Sequence, residues 1–82
     1  MRLPEPEHPA WLQVISGETI HPYESLATKI ILGRLNLKFR QDSSPEATRQ
    51  YIQELRGYFA MNLRLPKVQA DLARIFDEGA AQ

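Results

Sequence analysis

The stretch Pro22-Tyr-Glu-Ser-Leu-Ala-Thr-Lys-Ile-Ile-Leu-Gly-Arg-Leu-Asn-Leu-Lys-Phe-Arg40 decides how the chain is read. Plotted at about 100° per residue, its apolar positions fall on two sides of a helix. Leu26, Ile30 and Leu37 share one side, and Ile31, Leu32, Leu35 and Phe39 share roughly the opposite one. Lys29, Asn36 and Arg40 line one strip between them, and Arg34 and Lys38 line the other. A surface helix of a small monomer needs a single apolar stripe, so two stripes predict burial on two sides. His21-Pro22, with Glu24 in the first turn, reads as the start of this helix. A strand over 35–40 is the competing reading, because Leu35 to Arg40 also alternates with period two after Gly33.

Toward the C-terminus the signals are cleaner. Ser44-Pro45-Glu46 combines a capping hydroxyl, a proline at the first helical position and an acid in the first turn. From there to about residue 63, Ala47, Tyr51, Ile52, Leu55, Tyr58 and Phe59 lie on one face, opposite Arg49, Gln50, Gln53 and Arg56. The three aromatics at helical spacing read as core. Gly57 falls on the polar side, which suggests a close backbone approach or a kink. Leu65-Pro66 opens a last helix with Val68, Leu72, Ile75 and Phe76 on its stripe and Gly79 as its C-cap.

Toward the N-terminus, Pro4, Pro6 and Pro9 predict an extended arm over 1–9, with Leu3 as an anchor if it lies across the body. Residues 9–16 read as a two-turn helix closed by Gly17, with Trp11, Leu12 and Ile15 on one face. A hairpin from Trp11 to Ile20, turning at Ser16-Gly17, is the alternative. Trp11 reads either as the plug of the core or as an interface anchor.

These readings add up to an all-α fold. It is a small three-helix bundle over about 22–40, 45–63 and 66–78, with a short N-terminal helical segment and an extended Pro-rich arm. The expected organisation is an arm over 1–9, one helical domain over 10–79 and a frayed tail over 80–82. A chain of 82 residues leaves room for one small domain.

Composition bounds the chemistry. Cysteine is absent, which removes disulfides and thiolate chemistry, and two histidines are too few ligands for a structural zinc site. The longest apolar run, Ile30-Ile31-Leu32, is far short of the roughly 20 residues that cross a bilayer, so no membrane partner and no secretory leader are expected. The glycines at 17, 33, 57 and 79 are too dispersed to cradle a phosphate. His8-Pro9 and His21-Pro22 look alike, but both read as helix starts and not as a shared metal or catalytic site. No cofactor, metal or enzymatic activity is therefore expected.

Ten basic and ten acidic residues give a net charge of zero, unevenly spread. Residues 1–24 carry −3, 25–41 carry +4, 42–67 carry +1 and 68–82 carry −2. The plain reading is that acidic ends and basic middle satisfy one another in the fold or an oligomer. The expected function is a non-enzymatic protein-protein interaction module of regulatory, adaptor or assembly type. It is cytoplasmic and homodimeric, and it buries Trp11, Leu26, Ile30, Gly33 and Leu37 at the interface. Lys29, Arg34, Lys38 and Arg40 are the expected charged contacts, steering an acidic partner. The alternative is a nucleic-acid-binding regulator that uses those same cations. A pI near 6.7 argues against it. So do the acids of the last helix, although 45–63 and 66–78 have the spacing of a helix-turn-helix.

Overall fold

A computed structural model describes the backbone of residues 3–17 and 26–80, and the side chains of 3–17 and 26–77. Four helices and no strand occur among the described residues: α1 (Pro9–Ser16), α2 (Leu26–Gln41), α3 (Pro45–Asn62) and α4 (Pro66–Ala80). None of them is long and apolar enough to cross a membrane. The expected start of α2 at Pro22, the second arm of the alternative hairpin at 18–20 and residues 81–82 of the tail lie outside the described residues.

Segment 9–16 is a helix because both ends are locally closed. His8 is extended, with ψ 129°, and its Nδ1 accepts the Ala10 N–H at 3.1 Å, while Pro9 occupies the first helical position. At the other end Gly17 adopts φ 86°, which glycine tolerates at no steric cost, and its N–H donates to the carbonyls of Gln13 and Val14. Ala10, Trp11, Val14 and Ile15 are buried. The expected face of Trp11, Leu12 and Ile15 is thus corrected: Leu12 is exposed, and Val14 takes its place in the core. Seen down the axis, Leu12 lies about 60° beyond Ile15, on the far side from Val14.

The short helix is the hub. It packs most extensively against α4, then α2, then α3, and α2 packs on α3. The consecutive helices α3 and α4 meet chiefly through α1. Helix α1 thus stands between α2 and α4. Trp11 provides the joint. Its indole lies 4.7 Å from the Phe76 ring at a 66° interplanar angle, and 6.3 Å from the Phe59 ring at 25°. The indole Nε1–H donates to the Pro4 carbonyl at 3.3 Å, so residues 3–8 are tied to the core, with Leu3 half-buried against it. A turn at Pro6-Glu7, closed by His8 N–H to Glu5 O at 3.0 Å, interrupts the extended course expected of this arm.

Residues 35–40 are helical throughout, which decides between helix and strand. Leu32 and Leu35 are buried, Ile31 and Phe39 are half-buried against them, and the Thr28 and Tyr58 hydroxyls share a hydrogen bond at 2.5 Å. Helix α3 begins where Ser44 Oγ accepts the Ala47 N–H at 3.3 Å. It buries Tyr51, Ile52, Leu55 and Phe59, with Ala47 and Tyr58 half-buried, as its periodicity predicts. Leu72, Ile75 and Phe76 are buried on α4 with Val68 half-buried, again the predicted stripe, but the helix runs past Gly79 to Ala80.

A Cβ added at Gly57 would meet no heavy atom within 4 Å, so the expected close approach there is absent. Gly57→Ala is accordingly expected to raise stability by about 1 kcal/mol, since the site is exposed and helical. Trp11→Ala is expected to cost about 3–5 kcal/mol, a large part of the total for so small a domain. Urea denaturation followed by circular dichroism measures both. A loss below about 1 kcal/mol for the tryptophan variant would contradict the hub.

Candidate functional site

The two apolar groups of α2 have separate fates. The group of Ile31, Leu32, Leu35 and Phe39 faces the core, whereas Leu26, Ile30 and Leu37 stand 72%, 51% and 58% exposed. The orientation is held by three hydrogen bonds. Asn36 Nδ2 donates at 2.8 Å to the Ile15 carbonyl, one of the last-turn carbonyls that α1 cannot satisfy itself. Tyr51 donates its hydroxyl to the Lys38 carbonyl at 3.2 Å, and the Thr28–Tyr58 bond fixes the first turns. Gly33 is exposed between Ile30 and Leu37, and a Cβ there would meet nothing within 4 Å.

Of the five expected interface residues, Leu26, Ile30, Gly33 and Leu37 therefore share one outer face. Trp11 does not belong with them. It is fully buried between Phe59 and Phe76, so it is the core plug and not a surface anchor. Lys29, Arg34, Lys38 and Arg40 are all exposed. Lys38 lies 4.0 Å from Glu54 of α3, and no ion pair to Lys29, Arg34 or Arg40 occurs among the described residues.

Two acids of the terminal segments pair elsewhere. Glu7 pairs with Arg49 of α3, and Asp71 pairs with Arg74 on its own helix at 3.7 Å. The expected neutralisation of the basic middle by the acidic ends is thus not seen among the described residues of α2. Glu18 and Glu24 lie outside those residues.

His8 is a helix cap whose ring meets Phe76 edge-on at 5.5 Å, which accounts for both its position and its packing. His21, its look-alike, lies outside the described residues. No group of three or more metal-capable side chains occurs among the described residues.

One feature escapes sequence reasoning altogether. A cleft of about 470 Å³ lies between the arm, α1 and the α2–α3 connection, with Leu12, Phe39 and Ile52 in its apolar lining. Its volume suits a small ligand. Its polar groups are largely committed, however: Arg49 to Glu7, His8 Nδ1 to Ala10, and the Thr48 hydroxyl to the Ser43 carbonyl. The sequence offers no signal for it: Leu12 reads there as part of the buried face, and its meeting with Phe39 and Ile52 needs the tertiary fold.

No family model, no curated protein and no solved structure matches this chain.

The connection beside the cleft carries a measurable titration. Asp42 Oδ1 accepts the Ser44 backbone N–H at 3.0 Å, and this bond, followed by one with the Ser44 side chain, holds the carboxyl below its ordinary value of 3.8. A lowered folded-state value means that the stabilisation is complete above the ordinary value and is lost as pH falls through the folded one. Following the Asp42 carboxyl by NMR should give a midpoint below 3.8, moving only part of the way back in Ser44→Gly, which removes the hydroxyl but keeps the backbone N–H. A midpoint at or above 3.8 in the parent protein would contradict the bonding.

Proposed function

We propose that this chain is a small non-enzymatic protein-protein interaction module, regulatory, adaptor or assembly in type, whose docking surface is the outer face of α2. In this reading the fold is a bundle of three main helices, α2, α3 and α4, gathered around the short α1 and strapped by the Pro-rich arm. It works in the cytoplasm, where a chain without cysteine loses nothing to a reducing environment. The observation that carries the reading is the exposure of Leu26, Ile30 and Leu37 in one row on a helix whose opposite face is already buried. Scattered single apolar residues are ordinary on a surface. A row of three on one helix, beside a glycine that leaves the backbone open, is the pattern of a helix that meets another element.

The Ile30→Ser, Leu37→Ser double variant tests this in the full chain. Both side chains lie at the surface, so unfolding should stay within about 0.5 kcal/mol of the parent for each change. Proteins retained by the tagged parent from a native extract should be lost by the variant. Any oligomer that the parent forms in light scattering should revert to the 9.4 kDa monomer. Identical retention and identical mass for parent and variant would refute the reading.

A second reading, nucleic-acid binding, draws on the exposure of Lys29, Arg34 and Arg40 without an ion pair among the described residues. It is the weaker one, because Lys29 and Arg34 stand on opposite flanks of the apolar row and not on one recognition face. Binding to duplex DNA that falls steeply between about 50 and 200 mM salt would restore it.

A further inference from the structure

We propose that the outer row of α2 docks an acidic amphipathic helix of another protein, in preference to a second copy of this chain. The proposal rests on the reading of α2 as the interaction surface and names what that surface takes. Leu26, Ile30, Gly33 and Leu37 follow one another at intervals of four, three and four residues. That is the d-a-d-a spacing of a heptad seam, the pattern by which one helix receives another side chain by side chain. The seam ends at Arg40, which takes the next d position. At its centre Gly33 leaves the backbone uncovered, so a large apolar side chain of the incoming helix has room there.

In the same register Lys29 falls at g and Arg34 at e, the two positions that set partner choice in such pairs. From Leu26 to Gln41 the helix carries four cations and no acid. Two copies of α2 side by side in parallel would bring Lys29 of one against Arg34 of the other. Two antiparallel copies with their seam layers aligned would set Lys29 opposite Asn36 and Arg34 opposite Ala27. Asn36 is already committed to the Ile15 carbonyl. In neither orientation does a cation gain an anionic partner, and eight positive charges gather within the width of two helices. A helix with Glu or Asp at its flanking positions reverses both terms. An anionic membrane is the poorer fit: the apolar face is one residue wide and holds no aromatic side chain, whereas helices that lie in a lipid interface present a broad face with Trp, Phe and Leu.

The test uses the full chain and a dye-labelled, capped helical peptide of about three heptads with Leu at a and d and Glu at e and g. A matched peptide carries Lys at e and g. Fluorescence anisotropy should show the Glu peptide binding at least about tenfold more tightly than the Lys peptide, and weakening several-fold between about 50 and 300 mM salt. Lys29→Glu with Arg34→Glu should reverse the preference without altering thermal unfolding. Ile30→Ser with Leu37→Ser should abolish binding of either peptide. Equal affinity for the two peptides, no binding of the Glu peptide, or tighter binding to phosphatidylglycerol vesicles would each overturn the proposal. A dimer that Ile30→Ser with Leu37→Ser dissolves would overturn it too, while leaving α2 as the interaction surface. If the Glu peptide binds the Ile30→Ser, Leu37→Ser protein as well as the parent, the assignment of the surface itself fails.

Discussion

The fold depends on the indole of Trp11 lying between Phe59 of α3 and Phe76 of α4. An isolated helix of eight residues is not stable in water, because nucleation costs more than so few hydrogen bonds return. Its packing must therefore hold it in place. Trp11 does so with a large apolar surface buried on all sides and one polar atom satisfied by the Pro4 carbonyl. The dependence is mutual. Helices α3 and α4 meet chiefly across α1, so removing the indole would leave Phe59 and Phe76 facing a void and take away the wall on which α4 rests.

That central position of α1 also determines what α2 can do. The inner side of α2, with Leu32 and Leu35 buried, is claimed twice, by α3 through the Thr28–Tyr58 and Tyr51–Lys38 bonds, and by α1 through the hydrogen bond of Asn36 to the Ile15 carbonyl. Both neighbours lie on the same half of the helix, so the opposite row of Leu26, Ile30 and Leu37 remains at the surface. A small chain cannot cover every apolar side chain it carries. Which ones stay uncovered follows here from the placement of a two-turn helix, and so the exposed row is a consequence of the core and not an accident of the surface.

What the sequence revealed divides by range. The start of α3 at Ser44-Pro45, the start of α4 after Leu65 and the buried stripes of both helices were legible, because capping and periodicity act over a few residues. The two faces of α2 were legible for the same reason. The apparent strand alternation over 35–40 has a helical explanation: Leu35 and Leu37 lie about 200° apart on a helix, and Phe39 returns to within about 40° of Leu35. A helix with two apolar sides therefore imitates period two over a short stretch. What stayed hidden is tertiary. Nothing local distinguishes Leu12 from Val14 as a core residue, and nothing local shows that Glu7 would meet Arg49 or that Leu12 would join Phe39 and Ile52 in a cleft.

Charge illustrates the same division with a functional consequence. Segment sums located a basic stretch between acidic ends, but not which pairs would form. Among the described residues Glu7 reaches Arg49 and Lys38 approaches Glu54, so the pairs run between the arm and α3 and between α2 and α3. Exposed pairs of this kind contribute little to stability. Their effect is instead on the field at the surface: Lys38 is partly compensated by Glu54, whereas Lys29 and Arg34, one on each flank of the apolar row, face no acid on their own helix. A net charge of zero is thus compatible with a locally positive docking face, because at physiological salt charges more than about 8 Å apart are largely screened from one another. For an incoming helix the charges within that distance decide, and around Ile30 and Gly33 those of α2 itself are all positive.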